Sequence, residues 1–145
     1  MTITITPLGK KLIVYGMVLF LLGLIQGALI PYFLNPRMAL SAHLAAVQSG
    51  MAMAIVGLIW SLLTLKPSSM KLAYYSNITG LYAVWIAINL GAMVGASRAL
   101  PIAGEGFSAT AGVEIAIEAI VTLGAVLTIV SFGLIVFGLM RDKTH

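Results

Sequence analysis

Four apolar runs, each about as long as a bilayer is thick, dominate this chain of 145 residues and decide its solvent. A helix needs roughly 20 mostly apolar residues to cross a hydrocarbon core of about 30 Å. Residues 12–30, 36–65, 72–94 and 113–140 each meet that requirement. The chain is 61% hydrophobic and 8% charged, with a mean hydropathy of +1.09. An ordinary globular chain is about 45–50% apolar and about 25% charged, so lipid rather than a soluble core has to cover these side chains. The expected fold is an all-α integral membrane protein: a four-transmembrane-helix antiparallel bundle, one domain over residues 1–145, with the lipid bilayer as its first partner.

The gaps between the runs hold the breakers. Pro31 closes the first run, and Asn35-Pro36 reads as a helix start, because Asn caps free N–H groups and Pro tolerates the first helical position. Residues 66–69 (Lys-Pro-Ser-Ser) read as a short hairpin loop, and residues 97–112, with Pro101, Gly104, Gly106 and Gly112, as the one long connection. Basic residues near helix ends stay on the cytoplasmic side. Lys10, Lys11, Lys66, Lys71, Arg141 and Lys143 fall on one side and Arg37 and Arg98 on the other, so both termini are expected to be cytoplasmic. The expected location is the bacterial inner membrane.

The net charge of +4 comes from eight Lys and Arg spread singly or in pairs, not gathered into a stripe, so no nucleic-acid partner is expected. With no cysteine there is no disulfide, thiolate nucleophile or iron–sulfur ligation. With the helices laid antiparallel, Gln26, Arg37, His43, Gln48, Ser49, Asn89, Glu114 and Glu118 all fall in the outer half of the bilayer, which places nearly all the buried polar chemistry there. Ionisable groups in lipid are costly and face a bundle interior, a cavity or a partner, so each is a functional hypothesis.

Each also has a plain structural reading. A lone intramembrane His serves as often in packing as in ligation, and Gln26 and Asn89 can act as hydrogen bonds between helices. Glu114 suits a helix N-terminus. Glu118, one turn deeper, is either a proton site or half of an ion pair with Arg37 or Arg98. Gly23-x-x-x-Gly27 and Gly91-x-x-x-Gly95 read as close-packing motifs. Nothing supports a hydrolytic triad, and a di-iron bundle wants four Glu and two His, more than the membrane runs hold. Haem needs only one strong axial ligand and an apolar slot. His43, about 10 Å below the start of the second helix at about 1.5 Å per residue, has a suitable depth.

Residues 35–44 (Asn-Pro-Arg-Met-Ala-Leu-Ser-Ala-His-Leu), Tyr82-Ala83-Val84-Trp85, and Leu100-Pro101-Ile102-Ala103-Gly104 followed by Glu114 resemble the hydroxylaminobenzene mutase family over most of the chain. That family is in turn distantly similar to styrene oxide isomerase, a trimeric four-helix membrane enzyme. In it a histidine near the outer start of helix two binds ferric haem b at the subunit interface, and His43 matches that histidine in position. The resemblance implies a homo-oligomer, with a trimer as the expected form, that rearranges a small hydrophobic aromatic substrate: a hydroxylaminoarene to an aminophenol, or alternatively an epoxide to an aldehyde. Ferric haem b on His43 would act as a Lewis acid without net redox change.

Two positions depart from the isomerase pattern. Its asparagine six residues after the haem histidine is Ser49 here, with Gln48 beside it, and its helix-three tyrosine falls near Ile88 or Asn89, about two turns from Tyr82. The candidate pocket residues are therefore Asn89, Ser49, Gln48, Glu118 and Tyr82. Gly50, seven residues from His43, returns to nearly the same helix face and leaves either room for a flat ligand or a close helix contact. The reading from another class is a four-helix accessory or transport subunit in which Glu118 and His43 line a proton or solute path.

Overall fold

The computed structural model describes residues 4–141, so Lys143 and His145 lie outside the described residues. Four long helices follow one another: α1 Pro7–Leu29, α2 Pro36–Ile59, α3 Pro67–Val94 and α4 Ala111–Met140. All four are long and apolar enough to cross a membrane. Short 3-10 turns, Ile30–Tyr32 and Trp60–Leu62, extend α1 and α2.

Two helices start earlier than hydropathy suggests. Thr6 caps α1, its hydroxyl accepting from the Gly9 N–H at 3.0 Å, and Pro7 occupies the first turn. The first turn of α3 is Pro67-Ser68-Ser69, which corrects the expected hairpin loop at 66–69. Lys10, Lys11 and Lys71 thus sit exposed on first or second helical turns, a place where a long stem can cover apolar surface while its charge reaches water. At the C-terminal end of the second run the α-helix stops at Ile59, and Thr64 N–H donates to the Gly138 carbonyl at 3.0 Å, tying this connection to the end of α4.

The expected start of α2 holds. Asn35 is fully buried, and its Oδ1 accepts from Met38 N–H at 3.0 Å. Its Nδ2 donates to the Ala103 carbonyl at 2.9 Å and its backbone N–H to the Ala92 carbonyl at 3.0 Å, so one residue joins α2, the end of α3 and the α3–α4 connection. Gly95 closes α3 in the left-handed region (φ 74°), where a side chain would be strained, and Ala96 N–H returns to the Gly91 carbonyl.

Neighbours in sequence are neighbours in space. Broad antiparallel interfaces join α1 to α2 and α3 to α4, a smaller one joins α2 to α3, and no substantial interface joins α1 to α4. The helices therefore stand in chain order, with much of α1 and α4 uncovered.

The α1–α2 seam is a ladder of glycines. A Cβ built on Gly9 would strike the Gly57 carbonyl, one on Gly16 would lie 2.5 Å from the Gly50 carbonyl, and one on Gly50 would lie 2.6 Å from the Gly16 carbonyl. Backbone meets backbone at these rungs, an approach that only small residues allow. Gly80 and Gly124 repeat the device between α3 and α4.

The polar groups are not confined to one half. In the other half, Asn77 is fully buried on α3 and donates through Nδ2 to Ser131 Oγ on α4 at 3.1 Å, while Ser131 Oγ donates to the Ala73 carbonyl at 2.9 Å. This cluster corrects the expectation that nearly all buried polar chemistry lies in the half that contains His43.

Candidate functional site

The residues that carry chemistry meet where the C-terminal halves of α1 and α3 face the N-terminal halves of α2 and α4. Gln26, only 5% exposed, is the hub. Its Nε2 donates to the Ala39 carbonyl of α2 at 3.0 Å, and its Oε1 accepts from Trp85 Nε1 at 2.8 Å and Asn89 Nδ2 at 3.3 Å, both on α3. Asn89 Nδ2 also donates to the Trp85 carbonyl at 2.9 Å. Three helices are thus cross-linked at one level in a medium that offers no water to replace these bonds.

His43 lies one turn away in the α1–α2 seam. Its ring is half-buried, with Nδ1 2.7 Å from the Gly23 carbonyl of α1. The three nearest neighbours of a Cβ built on Gly27 are His43 ring atoms, Cε1 and Nδ1 at 2.9 Å and Cγ at 3.6 Å, so the imidazole occupies the space that a side chain at position 27 would fill. Nε2 bonds to no described group and is not sealed from the surface. Gly23-x-x-x-Gly27 is therefore more than a packing motif, because it seats the histidine.

The other candidates fall elsewhere. Six and five residues from His43, at 100° per residue, place Ser49 and Gln48 on other faces of α2. Ser49 is half-buried and Gln48 exposed. Gly50 does share the face of His43, but the backbone of α1 at Gly16 and Phe20 fills the space in front of it, so of the two readings of Gly50 it is the close helix contact that is found there, not room for a flat ligand. Tyr82 donates its hydroxyl to the Tyr15 carbonyl of α1 at 2.8 Å and stacks edge-on with Trp85.

Glu114 organises the α3–α4 connection. Its carboxylate accepts from the N–H groups of Ser97 (3.0 and 3.1 Å), Arg98 (2.9 Å) and Ala109 (2.9 Å). Glu118 pairs with Arg98 Nε at 2.6 Å, both side chains being substantially exposed, and Arg37 pairs with Glu105 at 3.5 Å. His43 lies in the α1–α2 seam and Glu118 on α4, which packs on α3. Beside His43 along α2, Leu40 and Leu44 line an open groove of about 440 Å³ with Arg37, Ser41 and residues 100–103 of the α3–α4 connection.

The styrene oxide isomerase family pattern matches residues 8–140. The chain belongs to the styrene oxide isomerase family. It is also 42% identical over 112 residues to hydroxylaminobenzene mutase HabB of Ectopseudomonas oleovorans, an alignment that covers 77% of this chain and 68% of the relative. Hydroxylaminobenzene mutase HabA of the same organism is 42% identical over 89 residues, covering 61% of this chain and 66% of the relative. The chain spans about two thirds of the length of each relative. No solved structure matches it. The span matched by the styrene oxide isomerase family takes in His43, the Gln26 hub and Glu114 with its backbone donors.

Among the described residues no cluster of three or more His, Asp or Glu could hold a bare metal ion. A lone imidazole can serve as the protein's ligand where a macrocycle supplies the remaining donors, and one ring nitrogen engaged with backbone while the other stays open is the usual state of a ligating histidine. His43 fits a haem in that respect.

Proposed function

We propose that the chain is a membrane-embedded isomerase of the mutase type, converting a small N-hydroxylaminoarene into an ortho-aminophenol, with ferric haem b held by His43. Membership of the styrene oxide isomerase family and the names of the two mutase relatives support the reaction class. The observation that carries the cofactor assignment is the His43 ring itself, held through Nδ1 and open at Nε2. Bound there, ferric haem would supply a Lewis-acidic iron able to draw electron density from a substrate oxygen.

The rearrangement keeps every atom and consumes neither water nor a redox cosubstrate, so the chain's own work is to hold, orient and exclude. Leu40, Leu44, Leu100, Pro101 and Ile102 give the groove beside His43 an apolar lining suited to an aromatic ring, and Ser41 and Arg37 place polar groups in it. Asn89 is the orienting residue in this reading: its Nδ2 is fixed by Gln26 and Trp85, while its Oδ1 has no described partner. Ser49, Gln48, Tyr82 and Glu118 are assigned no step. The family match favours one second reading, an epoxide-to-aldehyde isomerisation on the same features.

The protein acts as a homo-oligomer, a trimer by the family resemblance, in which a second copy covers the open side of His43. Lys10, Lys11, Lys66, Lys71 and Arg141 mark the cytoplasmic end of the helices and Arg37 and Arg98 the other. The decisive experiment is absorbance of protein purified in mild detergent after expression with ample haem. A ferric Soret band is expected, His43→Ala should lose it together with mutase turnover, and His145→Ala should change neither. Colourless folded protein, or a band that survives His43→Ala, overturns the haem assignment.

A further inference from the structure

The glycines of α1 divide into two kinds. At Gly9, Gly16 and Gly23 the atoms that a Cβ would strike include the backbone, or the Cβ, of α2 residues, so these glycines let two helices approach. At Gly27 the three nearest atoms all belong to the ring of His43. Gly27 therefore makes room first of all for the imidazole of His43.

Gly23 supplies the other half of the seat. A carbonyl oxygen can only accept, so the 2.7 Å contact with Nδ1 requires the proton to sit on Nδ1. In the neutral ring Nε2 then carries a bare lone pair. We propose that Gly23 and Gly27 are positioning residues for His43: the Gly23 carbonyl selects the Nδ1–H tautomer, and the missing side chain at Gly27 sets the ring plane, so that α1 aims the Nε2 lone pair out of the helix pair.

The rungs below keep this geometry. Gly9 against Gly57 and Gly16 against Gly50 fix the α1–α2 separation, and stepping seven residues further along each helix brings Gly23 opposite His43. At this third rung an imidazole replaces the glycine of α2. An alanine at position 27 would put a methyl 2.9 Å from Nδ1 and Cε1, so the ring must move by several tenths of an ångström and its bond to the Gly23 carbonyl must lengthen or break.

The proposal rests on the haem reading only for its consequence, and the test separates the two. The full chain is labelled with ¹⁵N-histidine in a His145→Gln background, leaving His43 as the sole imidazole, and is purified without haem. Ring-nitrogen NMR at mildly alkaline pH should show one neutral tautomer, protonated at Nδ1. Gly27→Ala should mix the tautomers or shift the Nδ1–H resonance, whereas Gly80→Ala, on the α3–α4 seam, should lower stability and leave the tautomer unchanged. Titration with haem b should show an affinity for Gly27→Ala about 10–100-fold weaker than wild type, the range usual for loss of a ligand's supporting contact.

A wild-type ring protonated at Nε2, or a tautomer that Gly27→Ala leaves untouched, overturns the proposal. If Gly27→Ala cannot be recovered folded, the wild-type tautomer decides alone. Should the NMR results hold while no variant takes up haem, the seat stands and the haem reading fails.

Discussion

Replacing Gln26 by Leu removes the hub of the intramembrane network while nearly preserving volume, so the cost reports hydrogen bonding rather than a cavity. The substitution ends the bond to the Ala39 carbonyl and strands the indole N–H of Trp85, which has no other described acceptor. Side-chain hydrogen bonds between membrane helices average about 0.6 kcal/mol and reach about 1.7 kcal/mol. Counting the two shorter contacts, at 3.0 and 2.8 Å, gives about 1–3 kcal/mol. The 3.3 Å contact to Asn89 adds little, because Asn89 keeps the Trp85 carbonyl. A loss of about 2 kcal/mol is roughly a 30-fold shift in the folding equilibrium. Reversible unfolding in mixed micelles, followed by circular dichroism as the SDS fraction rises, measures it. A double-mutant cycle with Trp85→Phe isolates the Gln26–Trp85 bond, and a coupling of about 1 kcal/mol is expected. Additive single changes, or a Gln26→Leu variant as stable as wild type, would refute the reasoning.

Two other outcomes follow from the same geometry. Glu114→Gln leaves only one accepting oxygen for three backbone N–H groups, so hydrogen exchange at Arg98 or Ala109 should accelerate while α1 and α2 keep their protection; unchanged exchange at Ser97, Arg98 and Ala109 would remove the carboxylate's organising role. Reporter fusions within residues 66–71 should read cytoplasmic and fusions within 98–112 external, and the reverse would invert the orientation.

Apolar run length was enough to find all four helices, because lipid imposes one dominant rule and the chain obeys it over each span. Their starts were less legible. Hydropathy marks where lipid ends, whereas α1 and α3 continue beyond it, and the signs of that were Thr6-Pro7 and Pro67, residues suited to a cap or a first turn. Asn35-Pro36 was read correctly because there the cap and the lipid boundary nearly coincide. His43 stood out as a lone ionisable residue in an apolar run, and Glu114 as an acid in the first turn of a helix. Asn77 and Ser131 did not stand out, because each is a single neutral residue whose meaning depends on the α3–α4 register. Ser49 and Gln48 were nominated because the isomerase resemblance puts an asparagine at that point of α2, and the helical turn sends both to faces other than that of His43.

The largest gap lay in the glycines. Gly9, Gly16 and Gly23 recur every seven residues on α1, and Gly50 and Gly57 continue the same interval on α2 with His43 as the next member. That spacing is visible in the sequence, but it says only that each helix has a smooth stripe. Two facts from outside either helix turn the stripes into a site: the antiparallel pairing, and the register that sets Gly16 against Gly50. Once those are fixed, Gly23 must face His43, and the neighbouring positions acquire opposite duties. Gln26 turns toward α3 and binds Trp85 and Asn89, while Gly27, 100° further round the helix, lies beneath the imidazole. One turn of α1 therefore ties the three-helix core together on one flank and holds the histidine on the other, so a change in the packing of α1 reaches the ring without passing through any other side chain.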